Sequence, residues 1–220
     1  MTPRPKAAWS RYRNSIGDRS GMFGALARAW APERALYPGS YVDLSPSTVI
    51  PAVTYVDTDR RAEAFFGDVD LVRAELHGRT VPGAGTEVEF LAADYTTALA
   101  VPDQGFDLLI SLYAGPVWEN CRRYLKPGGL LLANASHGDA SLAALDPTLR
   151  LEAAVTHRGE TYLLDTDRLD RYLVPKNPDG NRPELIRAAG RGVGYTRPAF
   201  AYVFAYAPAG NPGAAPPTGG

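Results

Sequence analysis

Apolar positions in this chain fall into short β-prone blocks, separated by stretches with helical spacing. Residues 35–37 are apolar and stop at Pro38-Gly39-Ser40. Residues 53–56 are β-prone and end abruptly at Asp57. In residues 87–92, Val88, Phe90 and Ala92 alternate with polar neighbours, and the block ends at Asp94-Tyr95. Residues 106–112, FDLLISL, form a near-continuous apolar run of the kind found in a central parallel strand covered on both faces. Residues 130–133 complete a fifth strand after Lys126-Pro127-Gly128-Gly129.

The intervening segments read as helices. Residues 59–66 and 69–77 are two pieces divided at Gly67-Asp68, with Asp68 as the cap of the second and Gly78 as its stop. Residues 116–125 carry Pro116 in the first turn and Val117, Cys121 and Leu125 at every fourth position, which puts Cys121 on the packed face as a core residue. Ahead of the first strand, residues 7–12 and 22–30 are helical, and Phe23, Leu26 and Trp30 share one face. They serve either as core packing or as a lid over a cleft, with Trp9, Tyr12, Phe23 and Trp30 as its aromatic surface. The pattern changes after residue 133. Residues 149–155 and 161–164 flank His157-Arg158-Gly159 as a hairpin, residues 167–173 and 183–189 are short helices, and residues 199–206 form a last strand. Residues 81–85 form a loop whose Gly83 and Gly85 precede a strand, the wrong order for a dinucleotide turn. Helices alternating with strands, then an antiparallel finish, specify an open α/β sheet.

Composition narrows the classes. At 220 residues, 45% hydrophobic and 21% charged, the chain can bury one sizeable core. A net charge of −1 provides no field that would draw it to nucleic acid or a membrane, although seven Lys/Arg precede residue 35 against Asp18 and Glu33. A single cysteine excludes an intrachain disulfide and a cysteine-based zinc site. No apolar run approaches the about 18 residues of a membrane helix, and the amino terminus lacks the apolar core of a secretory signal, so a cytoplasmic location is expected. Three scattered histidines give no metal-ligand spacing, and no metal is expected.

Two constellations carry chemistry. A strand ending in a glycine turn, followed by a strand ending in an acid, is how a Rossmann-type half-domain holds a nucleoside: Gly39 lets the backbone approach and Asp57 accepts from the ribose hydroxyls. The second constellation is NASHGDAS, residues 134–141, which leaves the carboxyl end of the fifth strand, where ligands of open α/β sheets bind. His137 there is a candidate base with Asp139 to position it, Gly138 letting both point inward. The alternative is a polar loop in which Asp139 or Ser136 caps a short helix.

With these residues the chain resembles a class I S-adenosylmethionine-dependent methyltransferase domain over roughly residues 35–206. The likeness rests on Leu36–Gly39, Val53–Asp57, Asp94 after the third strand, and FDLLIS with LKPGGLLLA. It implies a Rossmann-like domain at 35–206 behind a helical extension or lid at 1–34; residues 207–220, with four prolines, four glycines and no charge, are expected to be a disordered tail. The likeness also implies S-adenosylmethionine as cofactor and a small-molecule acceptor, while the charge and the lack of a long apolar run lead us to expect no nucleic-acid or membrane partner. Gly39, Ser40, Asp43, Asp57, Asp94 and Tyr95 are the implied cofactor contacts. Tyr41, Tyr113 and Ser136 are the acceptor contacts, and His137 with Asp139 the catalytic pair. The chain departs from the family at the first turn: Tyr37-Pro38 stands where an acid is usual, and Tyr41 and Asp43 where the second and third glycines are usual. The competing reading is a protein that keeps this scaffold without methyl transfer, as a ligand-binding or partner subunit or with another reaction in the same cleft.

Overall fold

The structure, a computed structural model, describes residues 8–80, 86–159 and 161–208. The loop expected at 81–85 and the tail from 209 lie outside the described residues. Among the described residues, eight strands form one sheet in the order β3-β2-β1-β4-β5-β8-β6-β7. Five of them, β1 (Arg34–Pro38), β2 (Ala52–Asp57), β3 (Glu87–Ala92), β4 (Phe106–Ser111) and β5 (Leu125–Ala133), are parallel. The last strand, β8 (Ala201–Tyr206), runs antiparallel between β5 and β6 (Leu149–Arg158), and β7 (Thr161–Asp165) closes a hairpin on β6. The open, mostly parallel sheet with an antiparallel finish is therefore the fold the hydrophobic pattern specifies.

Side chains of a strand alternate between faces, and the sheet is covered on both. On one face Tyr37, Tyr55, Leu108, Ile110 and Leu132 meet Trp9 from α1 (Ala8–Ile16), Phe23 and Leu26 from α2 (Ser20–Trp30), and Ala62 and Phe65 from α3 (Arg60–Phe66). Val72 of α4 (Val69–Leu76) joins the same core. On the other face Leu36, Val56, Leu109 and Leu131 meet Val117, Trp118 and Cys121 of α5 (Val117–Cys121), with Ala140 and Ala143 of α6 (Asp139–Ala143). The Cys121 thiol is fully buried and burial pushes its pKa up to about 12, so it packs and does not react. Local chemistry starts the helices where expected: the Asp59 carboxylate accepts from Arg61 N at 2.7 Å, and that of Asp68 from Leu71 N at 3.1 Å. A seventh helix, α7 (Pro183–Ala189), starts on a proline and stops at Gly190, whose φ is +59°.

Three elements differ from the sequence reading. The helix expected at 116–125 is α5 plus a 3-10 turn at Arg122–Tyr124, and β5 starts at Leu125. Lys126-Pro127-Gly128-Gly129 thus lies inside the strand: Leu125 pairs with Phe106, a register shift between Phe106 and Leu108 takes up the extra residues, and Gly128 supplies a φ of +81°. Residues 167–173 hold only a 3-10 turn at Leu169–Arg171, because Tyr172 is drawn into the core and donates to Asp165 at 2.6 Å. In the amino-terminal segment Trp9 and Phe23 have no exposed surface, so these two aromatics are core, while Tyr12 and Arg19 reach the strand ends.

The connection from β1 to β2 positions the site. Residues 39–51 contain a 3-10 turn at Ser45–Thr48 and no α-helix. The space beside that turn is filled by α2, which precedes β1 in the chain and packs against both the turn and β7.

Candidate functional site at the carboxyl ends of the strands

The ends of β1, β2, β3 and β4 and the loop after β5 lie along one edge, and contacts join them. Gly39 has a φ of +65°, and its N–H donates to Val56 O at 2.8 Å, drawing the β1 turn over the end of β2. A Cβ at Gly39 would lie 2.5 Å from Ala114 Cβ and 3.6 Å from Tyr95 Cε1. The glycine is therefore required by the close approach of the β4 turn as well as by its own backbone. The Tyr95 hydroxyl donates to Gly115 O at 3.1 Å, and a Cβ at Gly115 would lie 3.0 Å from His137 Cβ. Gly39, Tyr95, Gly115 and His137 thus form one contiguous run across four loops.

Asp57, half-buried at the end of β2, accepts from Tyr41 N through Oδ2 at 2.7 Å and from Asp59 N through Oδ1 at 2.8 Å. A carboxylate has about four acceptor sites, so each oxygen keeps capacity for a ligand hydroxyl. Asp94 is exposed; its Oδ1 accepts from Thr96 N at 2.9 Å and from Thr96 Oγ1 at 2.7 Å. These bonds hold its pKa below the usual carboxylate value, and among the described residues Oδ2 has no partner. Ser40 is buried, with its hydroxyl turned to Tyr41 O at 3.3 Å. Tyr41, at φ +47°, is held between the Tyr12 ring at 5.1 Å and the Arg61 guanidinium at 5.1 Å.

The β1 side is built differently. Asp43 is 1% exposed, and its carboxylate accepts from Arg19 Nη1 at 3.0 Å, Tyr37 Oη at 3.2 Å, and Ser45 N and Oγ at 3.1 and 2.6 Å. Four donors fill its acceptor sites. Arg19, itself 3% exposed, also lies 4.8 Å over the Tyr113 ring. Burial and the adjacent Asp43 carboxylate push the Tyr37 hydroxyl far above its ordinary pKa. Sequence reading missed Arg19; an arginine opening a helix carries no local mark of burial, and only the closure of α2 over the β1 turn places it here.

On the β5 side, Asn134 Oδ1 accepts from Tyr113 N at 3.2 Å and Ser136 Oγ at 2.7 Å, tying the β4 turn to the 134–138 loop. Asn134 was not among the expected residues, although it ends the strand and opens the polar loop. Tyr113, at φ +59°, exposes 47% of its surface. His137 is exposed, with Nδ1 3.1 Å from Ser136 Oγ; among the described residues Nε2 has no partner.

Asp139 does not pair with His137. It is fully buried, and its Oδ2 accepts from Ser111 Oγ at 2.5 Å, Val117 N at 2.9 Å and Trp118 N at 3.1 Å. The reason is Gly138: at φ +99° it turns the chain so that His137 faces solvent while Asp139 enters the core. Instead of positioning a base or capping its own helix, Asp139 caps α5 from α6. Burial raises its pKa despite these three donors.

A nucleoside cofactor can be tested against these groups. Asp57 and Asp94 offer acceptors on adjacent strand ends, and they fit a ribose and a base amino group. Asp43 does not fit an amino-acid ammonium, since its acceptors are taken. Among the described residues no group of three His, Cys, Asp or Glu could hold a metal, and no helix is long and apolar enough to cross a membrane.

No protein-family model and no curated protein matches the chain. Solved structures do. A methyltransferase from Geobacter sulfurreducens is 18% identical at a TM-score of 0.47, covering 72% of this chain and 86% of its own. An O-methyltransferase from Bacillus cereus in complex with SAH is 14% identical at 0.46, covering 70% and 83%. A tRNA methyltransferase from Aquifex aeolicus is 15% identical at 0.45, covering 84% and 68%. Likenesses this distant leave activity and acceptor open; the fold rests on the strand order and its antiparallel finish.

Proposed function

We propose, on the premise of this class I methyltransferase-like fold, that the chain binds S-adenosylmethionine at the carboxyl edge and methylates a small molecule. The observation that carries this reading is the pair of carboxylates, Asp57 and Asp94, on adjacent strand ends beside the Gly39 turn, each with acceptor capacity left. When bound, the cofactor supplies an electrophilic methyl on a cationic sulfur. The residues of the chain then have to align the acceptor and manage its proton. Asp57 accepts from the ribose hydroxyls and Asp94 from the base, with Gly39, Ser40 and Tyr95 framing them. Tyr41, Tyr113 and Ser136 face the acceptor. Ser136 holds His137 through Nδ1, and Nε2 takes the proton from the acceptor's nucleophilic atom.

A second reading is favoured by the buried Arg19–Asp43 pair and by Tyr41, which occupy the β1 turn where the family has glycines. Under it the edge binds a nucleoside and transfers no methyl group. Calorimetric titration of S-adenosylhomocysteine and of adenosine separates the two. Under methyl transfer the amino-acid end contributes, and S-adenosylhomocysteine binds at least about tenfold tighter, as one charge-assisted hydrogen bond is worth. Equal affinities support the second reading, and no binding of either refutes both.

A further inference from the structure

Beyond the strand ends, a cavity of about 410 Å³ lies on the far side of the 134–138 loop. Its walls include Lys176, Leu185, Ile186, Ala189, Arg191 and Gly192. The loop that carries His137 separates this cavity from the β4 turn. On one side Gly115 abuts His137. On the other, a Cβ at Gly138 would lie 2.9 Å from Ile186 Cγ2 and 3.4 Å from the Arg191 carbonyl carbon.

The cavity wall is clamped in place. Gly192 N donates to Ala135 O at 2.9 Å, Val193 N donates to Ser141 Oγ at 3.2 Å, and the Tyr195 hydroxyl donates to the same oxygen at 2.6 Å. Lys176 N donates to Gly194 O at 2.8 Å, and Pro175 and Tyr195 form a β-bridge. The rim is thus tied to α6 and to the His137 loop, so a ligand held there keeps a fixed relation to that loop.

The cations of the 166–200 segment divide into paired and unpaired ones. Arg182 pairs with Glu184 at 3.6 Å, Arg187 with Glu119 at 2.6 Å and Arg197 with Asp165 at 3.1 Å. Among the described residues, Arg168, Arg171, Lys176 and Arg191 have no carboxylate within 4.0 Å, and two of these four, Lys176 and Arg191, line the cavity. Leu185, Ile186 and Ala189 supply apolar lining, with Leu185 40% exposed and Ile186 buried. Two unpaired cations beside an apolar wall, in a volume that holds a small molecule, select an organic anion with an apolar body.

We propose that this cavity binds a small organic acid, with Lys176 and Arg191 on its anionic group and Leu185, Ile186 and Ala189 on its apolar part. This binding does not depend on the function proposed above, since the cavity lining includes none of the strand-end residues assigned there to cofactor or acceptor. Carboxylate and phosphate share the required chemistry, so the probes are benzoate and phenyl phosphate, with neutral benzyl alcohol as the control. Affinities are read by ligand-observed NMR on the full chain without cofactor.

Both anions are expected to bind at least about tenfold tighter than benzyl alcohol, and Lys176→Gln with Arg191→Gln to weaken them by about tenfold or more. Both residues are exposed, so the double variant keeps its fold, and its affinity for S-adenosylhomocysteine should be unchanged. Lys176→Arg alone should retain anion binding. Equal binding of benzyl alcohol, anion binding unaltered in the double variant, or no anion binding would overturn the proposal.

Discussion

Two halves of the same sheet edge are built on opposite principles. At the ends of β2 and β3, Asp57 and Asp94 receive a few backbone and hydroxyl donors and keep acceptor sites toward solvent. At the end of β1, Asp43 is buried and saturated by Arg19, Tyr37 and Ser45, and the space beside Gly39 is taken by Ala114. All three acids sit within one turn and two neighbouring strand ends, yet one has its acceptor sites filled and two keep some free. A carboxylate at a strand end becomes a ligand site only where its donors leave lone pairs over. The count of donors, more than the motif position, separates the halves.

The sharpest break of this contrast is Asp43→Asn. Leaving the Arg19 charge buried without its carboxylate should cost about 3–5 kcal/mol of stability in urea unfolding. Adding Arg19→Met should recover most of it, since replacing a buried pair by apolar groups is often neutral. Gly39→Ala comes next: a Cβ meeting Ala114 Cβ, at positive φ, should cost about 2–3 kcal/mol. Ala114→Gly should restore the steric part and leave the backbone part. On the open half, Asp94→Ala should leave urea stability nearly unchanged and weaken nucleoside binding by about 0.5–1.5 kcal/mol, the worth of a single hydrogen bond.

The smallest effect concerns pH. Burial raises the pKa of Asp139 above its unfolded value, so the native state holds this proton more tightly than the unfolded chain. The resulting stability is fully present below the unfolded pKa of about 3.9 and is lost as pH rises through the folded pKa. Asp139→Asn should therefore compare better with the unmodified protein at pH 7 than at pH 4, measured as the difference in unfolding midpoints.

The same distinction between local and long-range causes explains what was legible in the sequence. The strands at 87–92 and 106–111, the cap at Asp68 and the hairpin around residue 159 follow from periodicity and turn chemistry, which neighbouring residues determine. The alternation of strands and helices points to a parallel sheet but not to the order of its strands. Arg19 and Asp43 are 24 residues apart in sequence, and nothing local marks either as half of a buried pair. Asp139 was misjudged for a related reason: sequence proximity to His137 suggested a partner, whereas the positive φ of Gly138 sends the two side chains to opposite sides. The break between helix and strand at residue 125 was masked by Pro127 and Gly128, which terminate a helix as readily as they bulge a strand.

The most direct measurement is calorimetric titration of S-adenosylhomocysteine into the unmodified protein and into Asp57→Ala, with the fold of the variant checked by its unfolding midpoint. We expect binding by the unmodified protein and a loss of about 1.5–3 kcal/mol in the variant, as for hydrogen bonds to a charged acceptor. No binding by the unmodified protein, or equal affinity in a folded Asp57→Ala, would contradict the assignment of the β2–β3 half as the nucleoside site.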